Sequence, residues 1–316
     1  MKVYFFNWTA DYERISIDYL RSKSSVDDIK IKKDLWRWHK RLRHVGFPSD
    51  LLIRRYIKKK LKDINDDDLI IFKDDRLHTP MIQSFLKELP GKKILLLRNP
   101  VSSNYVSNVR VHFQSIYTFE KDKSEQFGIK YTPQFLPIGY SDLNRFNSLT
   151  LNNKNKNCFF LGRDKSRVSI LTMLSEKLKK VGCNIDFSIV KDKTSTINSD
   201  FYIEEEIPYY HSLLKMILSD VIVEINQDGQ TGYTLRTMEA LCFNKKLISN
   251  NLNLLNEPFY SSERIFIIGV RRWEELEVFL ASEISPLDED TLYKHSPDFM
   301  FNTLLIDSDN ADNLLI

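Results

Sequence analysis

A β-branched run, a polar loop with a glycine and an apolar-striped helix follow one another at residues 219–251, SDVIVEINQDGQTGYTLRTMEALCFNKKLISNN. Val221–Ile225 reads as a buried strand, because β-branched apolar residues fit a pleated interior. Asn226–Thr231 is polar and holds Gly229, which marks a loop. Gly232 opens a helical pattern with Leu235, Met238, Leu241 and Cys242 on one face. Lys246–Ser249 reads as a second strand. Strand, loop, helix and strand make a βαβ unit, which aims its loop and helix N-terminus at a ligand.

The chemistry at that helix start is specific. Thr231, Gly232, Tyr233 and Thr234 offer backbone N–H groups at the positive end of a helix dipole, and Gly232 lets an anion approach the backbone closely. Glu239 lies two turns further in, preceded by Arg236. A phosphate at the helix start and a carboxylate for a ribose suit a nucleotide. Periodicity alone fits an ordinary βαβ core unit equally well.

The same residues carry a resemblance. Gly232, Tyr233, Glu239 and Ala240 resemble the Gly-aromatic pair, short helix and E-A dipeptide in the donor-site segment of GT-B glycosyltransferases. Thr231, Gly232, Thr234, Arg236, Glu239, Ala240 and Leu241 match the T-G-x-T-x-R-x-x-E-A-L run of a group of bacterial lipopolysaccharide and surface-polysaccharide transferases. Weaker likeness continues at residues 117–135 and 159–167. Many retaining members carry two glutamates separated by seven residues; here Thr231 stands at the first position. The stereochemical course is therefore left open.

The resemblance implies an α/β fold with two Rossmann-like domains facing across a cleft. Residues 1–145 form the expected N-terminal, acceptor-side domain and 156–316 the nucleotide-sugar donor domain. The polar, Asn-rich stretch 146–155 is the linker. In the second half Cys158–Leu161 reads as a strand, followed by Gly162, Arg163, Asp164 and Lys165 and a helix from Ser166 to Lys180. A glycine and cations just beyond a strand can hold a diphosphate. The resemblance puts a phosphate-contacting basic pair here, Arg163 and Lys165. Glu224, ending its strand, either contacts the sugar or caps the loop.

In the first half, short apolar strands end at polar residues: Asn7–Thr9, Asp74–Asp75 and Arg98–Asn99. Ligands of open parallel sheets bind beyond the carboxyl ends of strands, so these junctions should share one rim. Each is equally explained as an ordinary loop. An inverting transfer needs a general base at that rim. Asp75 and Asp74 are the first candidates, then His78 and Asp11.

Charge is unevenly divided. Residues 1–150 hold 28 Lys and Arg against 18 Asp and Glu, and residues 30–62 alone hold 13 against two. There Trp36, Trp38 and His39 interleave with Arg37, Lys40, Arg41 and Arg43. Three readings stay open: a peripheral contact with an anionic membrane, a solvated basic helix pair, and a nucleic-acid surface. No nucleic-acid motif accompanies the charges, so no nucleic-acid partner is expected.

No apolar run approaches the roughly 18 residues of a membrane span, and the N-terminus lacks a signal pattern. A cytoplasmic protein is expected, in one reading at the inner face of the cytoplasmic membrane. Cys158, Cys183 and Cys242 are scattered in apolar contexts and should be reduced core residues. No metal site and no cofactor are expected, because cations and a helix dipole can neutralise a leaving diphosphate. The implied activity is transfer of a sugar from a nucleotide-sugar donor to a glycan or lipid-linked glycan acceptor. Two rivals use the same scaffold: an epimerase-like nucleotide-sugar enzyme, and a nucleotide-binding module without turnover.

Overall fold

The computed structural model describes residues 1–45, 50–74, 77, 80–145, 155–227 and 229–310. Two compact units divide the chain: Met1–Pro133 with Met300–Ile316, and Gln134–Phe299. This division differs from the expected one at both ends. Residues 134–145 group with the second unit because Leu136, Ile138 and Leu143 are buried in its core. The helix Pro297–Asn310 enters the first unit at Met300, and Phe301 stacks on Phe5 with ring centroids 6.5 Å apart. Of the expected linker, residues 146–154 lie outside the described residues.

The first unit carries six parallel strands, β1 (Val3–Phe6), β2 (Val26–Ile29), β3 (Leu69–Lys73), β4 (Lys92–Leu96), β5 (Ser115–Thr118) and β6 (Lys130–Tyr131), in the order β2-β1-β3-β4-β5-β6. The second unit repeats the number with β7 (Asn157–Arg163), β8 (Asn184–Val190), β9 (Tyr202–Ile203), β10 (Val221–Glu224), β11 (Lys246–Ser249) and β12 (Ile265–Ile267). Their order, β12-β11-β10-β7-β8-β9, is the doubly wound Rossmann arrangement, and it reverses direction between β7 and β10.

Alternation along the central strands explains how both faces of the second sheet are filled. Ile222 and Leu247 point to one core with Met216, Met238 and Leu241. Val221, Val223 and Ile248 point to the other with Leu171, Leu174 and Phe279. The helices Tyr209–Ile217 and Leu235–Cys242 cover the first face, Val168–Lys180 and Leu276–Ala281 the second. Parallel strands covered on both faces read as unbroken apolar runs, as these do.

Three strands were not foreseen. β2 has the sequence VDDI, and its polar centre survives because β2 is an edge strand, paired only with β1. Asp28 pairs there with Arg21 at 2.6 Å and with Lys30 at 2.7 Å. β6 and β9 are two-residue edge strands. The three cysteines are free and buried. Among the described residues no helix is long and apolar enough to cross a membrane.

Of the basic region, Lys33–His44 and Asp50–Lys60 are helices. Ile57 and Leu61 are buried, while Trp38 is 59% exposed with the Arg41 guanidinium 5.9 Å from its ring. Gly46-Phe47-Pro48-Ser49, whose sequence should break the helical pattern between the two helices, lies outside the described residues.

Candidate functional site

The carboxyl ends of β7 and β10 meet where the second sheet reverses, the position at which doubly wound sheets hold ligands. Around that point the expected residues fall into two groups.

The first group follows β7. Lys165 and Ser166 adopt left-handed backbone angles, φ 44° and 64°. Such angles cost about 1–3 kcal/mol each for residues with a side chain. They are held because the Lys165 N–H donates to Asp192 Oδ2 at 3.0 Å and the Ser166 N–H to Thr194 Oγ1 at 2.8 Å. The helix consequently begins at Val168 rather than at the expected Ser166. Arg163 and Lys165 are exposed, and Arg163 pairs with Glu206. Arg163, Lys165, Ser166, Asp192, Lys193, Thr194 and Gln227 surround a pocket of about 690 Å³. Asp192 is held below its usual value by the Thr194 hydroxyl and N–H.

Arg167 belongs to this group and was not foreseen. Its Nε donates to Asp164 O at 3.0 Å, its Nη1 to Ile225 O at 2.7 Å and its Nη2 to Arg163 O. Burial pushes its guanidinium down from the ordinary arginine value. Gly162 makes room for it: a Cβ at residue 162 would lie 3.0 Å from Arg167 Nη2 and 3.3 Å from Phe160 Cζ. Asp164, fully buried, accepts from the Val168 N–H at 3.0 Å and from the Tyr202 hydroxyl at 2.6 Å. Burial would raise its pKa, but these hydrogen bonds hold it below the usual carboxylate value.

The second group follows β10. Glu224 is buried and receives four hydrogen bonds. Its Oε1 accepts from the Thr234 N–H at 2.9 Å, the Thr234 hydroxyl at 2.5 Å and the Thr237 hydroxyl at 2.7 Å; its Oε2 accepts from Ser249 at 3.0 Å. These are the contacts of a cap joining the end of β10 to the loop and helix that follow. It also alters the expected helix start. Helix Leu235–Cys242 begins three residues after Gly232, with Thr234 as N-cap, because the Glu224 carboxylate holds the Thr234 N–H that was assigned to a phosphate.

Gly232 and Tyr233 are buried, and Thr231 is half-buried. The Tyr233 ring packs edge-on against Phe259 and His295, with centroids 5.8 and 5.9 Å away. Tyr233 is thus a core anchor for the loop. The loop is further pinned by Asn226 Nδ2, which donates to Gly232 O at 3.1 Å, and by Asn253 Nδ2, which donates to Thr231 O at 3.0 Å.

Glu239 is fully buried. Its Oε1 accepts from the Tyr209 hydroxyl at 2.9 Å and its Oε2 from Arg236 Nη1 at 2.6 Å. Burial raises its pKa, opposed by the neighbouring Arg236 charge. The sequence places Tyr209 only in the segment Ile207-Pro208-Tyr209 that leads into a helix expected over Tyr210–Leu218; the helix observed is Tyr209–Ile217. Its partner lies 30 residues away, beyond the reach of any local pattern.

In the first unit, Asp74, Arg98 and Asn99 meet at the ends of β3 and β4. Asp74 Oδ1 accepts from the Arg98 N–H and Oδ2 from Asn99 Nδ2, both at 2.8 Å. The Arg98 guanidinium lies 6.0 Å from the Trp8 ring and 5.9 Å from the Tyr12 ring. Both Asp74 oxygens therefore already accept hydrogen bonds. Asp11 is exposed in the first turn of the helix Asp11–Lys23. Asp75 and His78 lie outside the described residues.

The fold has solved counterparts. The chain is similar to trehalose-6-phosphate synthase OtsA at TM-score 0.62 and 12% identity, over 98% of this chain and 99% of that one. It is similar to the α,α-trehalose-phosphate synthase (UDP-forming) from Burkholderia vietnamiensis at TM-score 0.58 and 10% identity, covering 99% and 98%. Against the Glycosylation Associate Protein (Gap123) complex from Streptococcus agalactiae the TM-score is 0.45 and identity 13%; the chain covers 82% of itself and 56% of that chain. No protein-family model and no curated protein sequence matches the chain. With its two parallel six-stranded sheets, the fold is that of the GT-B glycosyltransferases.

Proposed function

We propose that the chain is a glycosyltransferase that moves a sugar from a nucleotide-sugar donor to a bacterial surface glycan, of the lipopolysaccharide, O-antigen or capsule kind. The observation that carries this reading is the pocket of about 690 Å³ lined by Arg163, Lys165 and Lys193 at the end of β7. Three cations around one opening fit a diphosphate. The UDP-forming activity of the Burkholderia counterpart supports a nucleoside diphosphate as the leaving group.

In this reading the donor's diphosphate lies between Arg163, Lys165 and the loop Thr231–Tyr233, the Thr234 N–H being held by Glu224. Glu239 binds the ribose hydroxyls. The acceptor hydroxyl attacks the anomeric carbon, the bond from that carbon to the diphosphate oxygen breaks, and the nucleoside diphosphate departs. Arg163, Lys165 and the helix dipole stabilise the departing charge, so the transfer needs no metal. A base takes the acceptor proton in an inverting transfer. Asp74 already accepts two hydrogen bonds, which favours Asp75 or His78.

The lipid-linked acceptor draws support from the basic helices, where Trp38 is exposed beside Arg41. Tryptophan with arginine suits the headgroup layer of an anionic bilayer. That contact would place the protein at the inner face of the cytoplasmic membrane.

The test is thermal stabilisation by UDP, GDP, dTDP, CMP and ADP, with Glu239→Ala alongside. A ligand of the folded state raises the melting temperature by mass action. One nucleotide should stabilise the wild type and lose its effect on the variant. If none stabilises the wild type, the site is a plain core unit.

A further inference from the structure

Glu239 cannot meet a ribose as it stands. The carboxylate is 0% exposed, Tyr209 holds one oxygen and Arg236 the other. These two partners differ in how firmly they are fixed. The Tyr209 ring is half-buried against the core of the second unit, and burial is the main cause that pushes its phenol pKa well up. The Arg236 side chain keeps 19% of its surface exposed. Apart from Glu239 and the Met216 sulfur, its hydrogen bonds are long: Leu161 O at 3.3 Å and Ser212 Oγ at 3.4 Å.

Arg236 also stands at a particular place. It is the second residue of helix Leu235–Cys242, and its N–H donates to the N-cap Thr234 hydroxyl at 3.0 Å. Helical side chains lean towards the N-terminus, so an arginine in the first turn can reach the space before the helix start. An anion arriving there offers the guanidinium a second partner of the same sign as Glu239.

We propose that Arg236 is a switch. In the free protein it occupies the ribose position on Glu239, and on donor binding it moves to the diphosphate while the ribose hydroxyls take its place. The exchange leaves no group unpaired. Breaking a buried ion pair is costly when one charge is stranded. Here the guanidinium trades a carboxylate for a phosphate, and Glu239 trades one N–H donor for hydroxyl donors. Tyr209 stays on Oε1 throughout and keeps the carboxylate aimed. A consequence is discrimination: a nucleoside without phosphates must displace Arg236 with nothing to receive it. This inference rests on the donor-site reading given above.

The test is calorimetric titration of the wild type, Arg236→Gln, Arg236→Lys and Glu239→Gln. The ligands are uridine, guanosine and adenosine, their diphosphates, and inorganic diphosphate. In the wild type, the diphosphate of the recognised base binds and its nucleoside binds far more weakly. Arg236→Gln should bind the nucleoside as tightly or more tightly and reduce the diphosphate's advantage by about tenfold, the loss of one charge-assisted contact. Arg236→Lys, which keeps the charge and is the variant closer in chemistry, should fall between. Glu239→Gln, with Arg236 released, should bind inorganic diphosphate more tightly and the nucleoside more weakly. Equal weakening of nucleoside and diphosphate by Arg236→Gln would mean a static ion pair and overturn the switch alone. A wild type that binds none of these ligands would overturn the donor-site reading beneath it.

Discussion

Glu224 accepts two hydrogen bonds from Thr234, one from the backbone N–H at 2.9 Å and one from the hydroxyl at 2.5 Å. This joins the end of β10 to the start of the following helix, and the Ser249 hydroxyl adds the end of β11 at 3.0 Å. Replacing Glu224 by alanine strands a helix-terminal N–H and three hydroxyls in the interior. The expected loss is about 3 kcal/mol, from unsatisfied donors and a small cavity. Glu224→Gln should lose only about 1 kcal/mol, because hydroxyls can turn to accept from an amide. Urea unfolding measures both. A Glu224→Ala variant as stable as the wild type would show that the junction is held by packing alone.

Gly162 and Arg167 should be coupled. A Cβ on residue 162 comes 3.0 Å from Arg167 Nη2, and that guanidinium is fixed by three carbonyl oxygens. Gly162→Ala should cost about 1–2 kcal/mol by overpacking. In an Arg167→Ala background the cost should fall below half of that, because only the Phe160 contact remains. A double-mutant cycle gives the coupling directly. Additive effects would mean that the arginine moves aside freely and that its three backbone bonds are weak.

How far these features could be read in advance depends on whether their causes are local. β10 and β11 were legible because their apolar runs are continuous, as buried parallel strands require. The helix after Gly232 was legible from its stripe, but not its first residue, which depends on a carboxylate ten positions earlier. Arg167 falls inside the helix expected from Ser166 and has no local signal of its own. Its position follows from carbonyls of β7, the turn after it and the residue after β10, which no local pattern brings together. β2 was hidden because an edge strand tolerates Asp27 and Asp28, residues that a central strand would exclude.

Lys246 should give the protein a distinctive alkaline response. Burial is the main cause that lowers its pKa from 10.5 to about 8, and its Nζ donates to Glu263 O at 2.7 Å and Ser282 Oγ at 2.9 Å. Between pH 8 and 10.5 the unfolded chain holds this proton more firmly than the folded one. Stability contributed by this group therefore rises with pH across that window and is lost as pH falls through it. Urea midpoints at the two ends, compared between wild type and Lys246→Met, isolate the effect from the other lysines. The methionine variant should show a smaller rise. An equal rise would mean that Lys246 titrates normally in the folded protein.

The basic helices make the last prediction, which concerns the proposed membrane contact. Trp38 is 59% exposed with Arg41 5.9 Å from its ring, so a large apolar surface and a cation present themselves together. An exposed indole gains little in water, but at a bilayer interface its ring is buried and its N–H stays hydrated. Wild-type protein should sediment with vesicles containing anionic phosphatidylglycerol and not with phosphatidylcholine alone. Trp38→Ala should reduce binding severalfold at every salt concentration, because it removes apolar contact. Arg41→Gln should reduce binding at low salt, where a basic residue near such a surface contributes about 1 kcal/mol, and matter less as salt screens it. Equal binding to both vesicle types would exclude an electrostatic contact, and no binding to either would leave the helices as a solvated surface of the first unit.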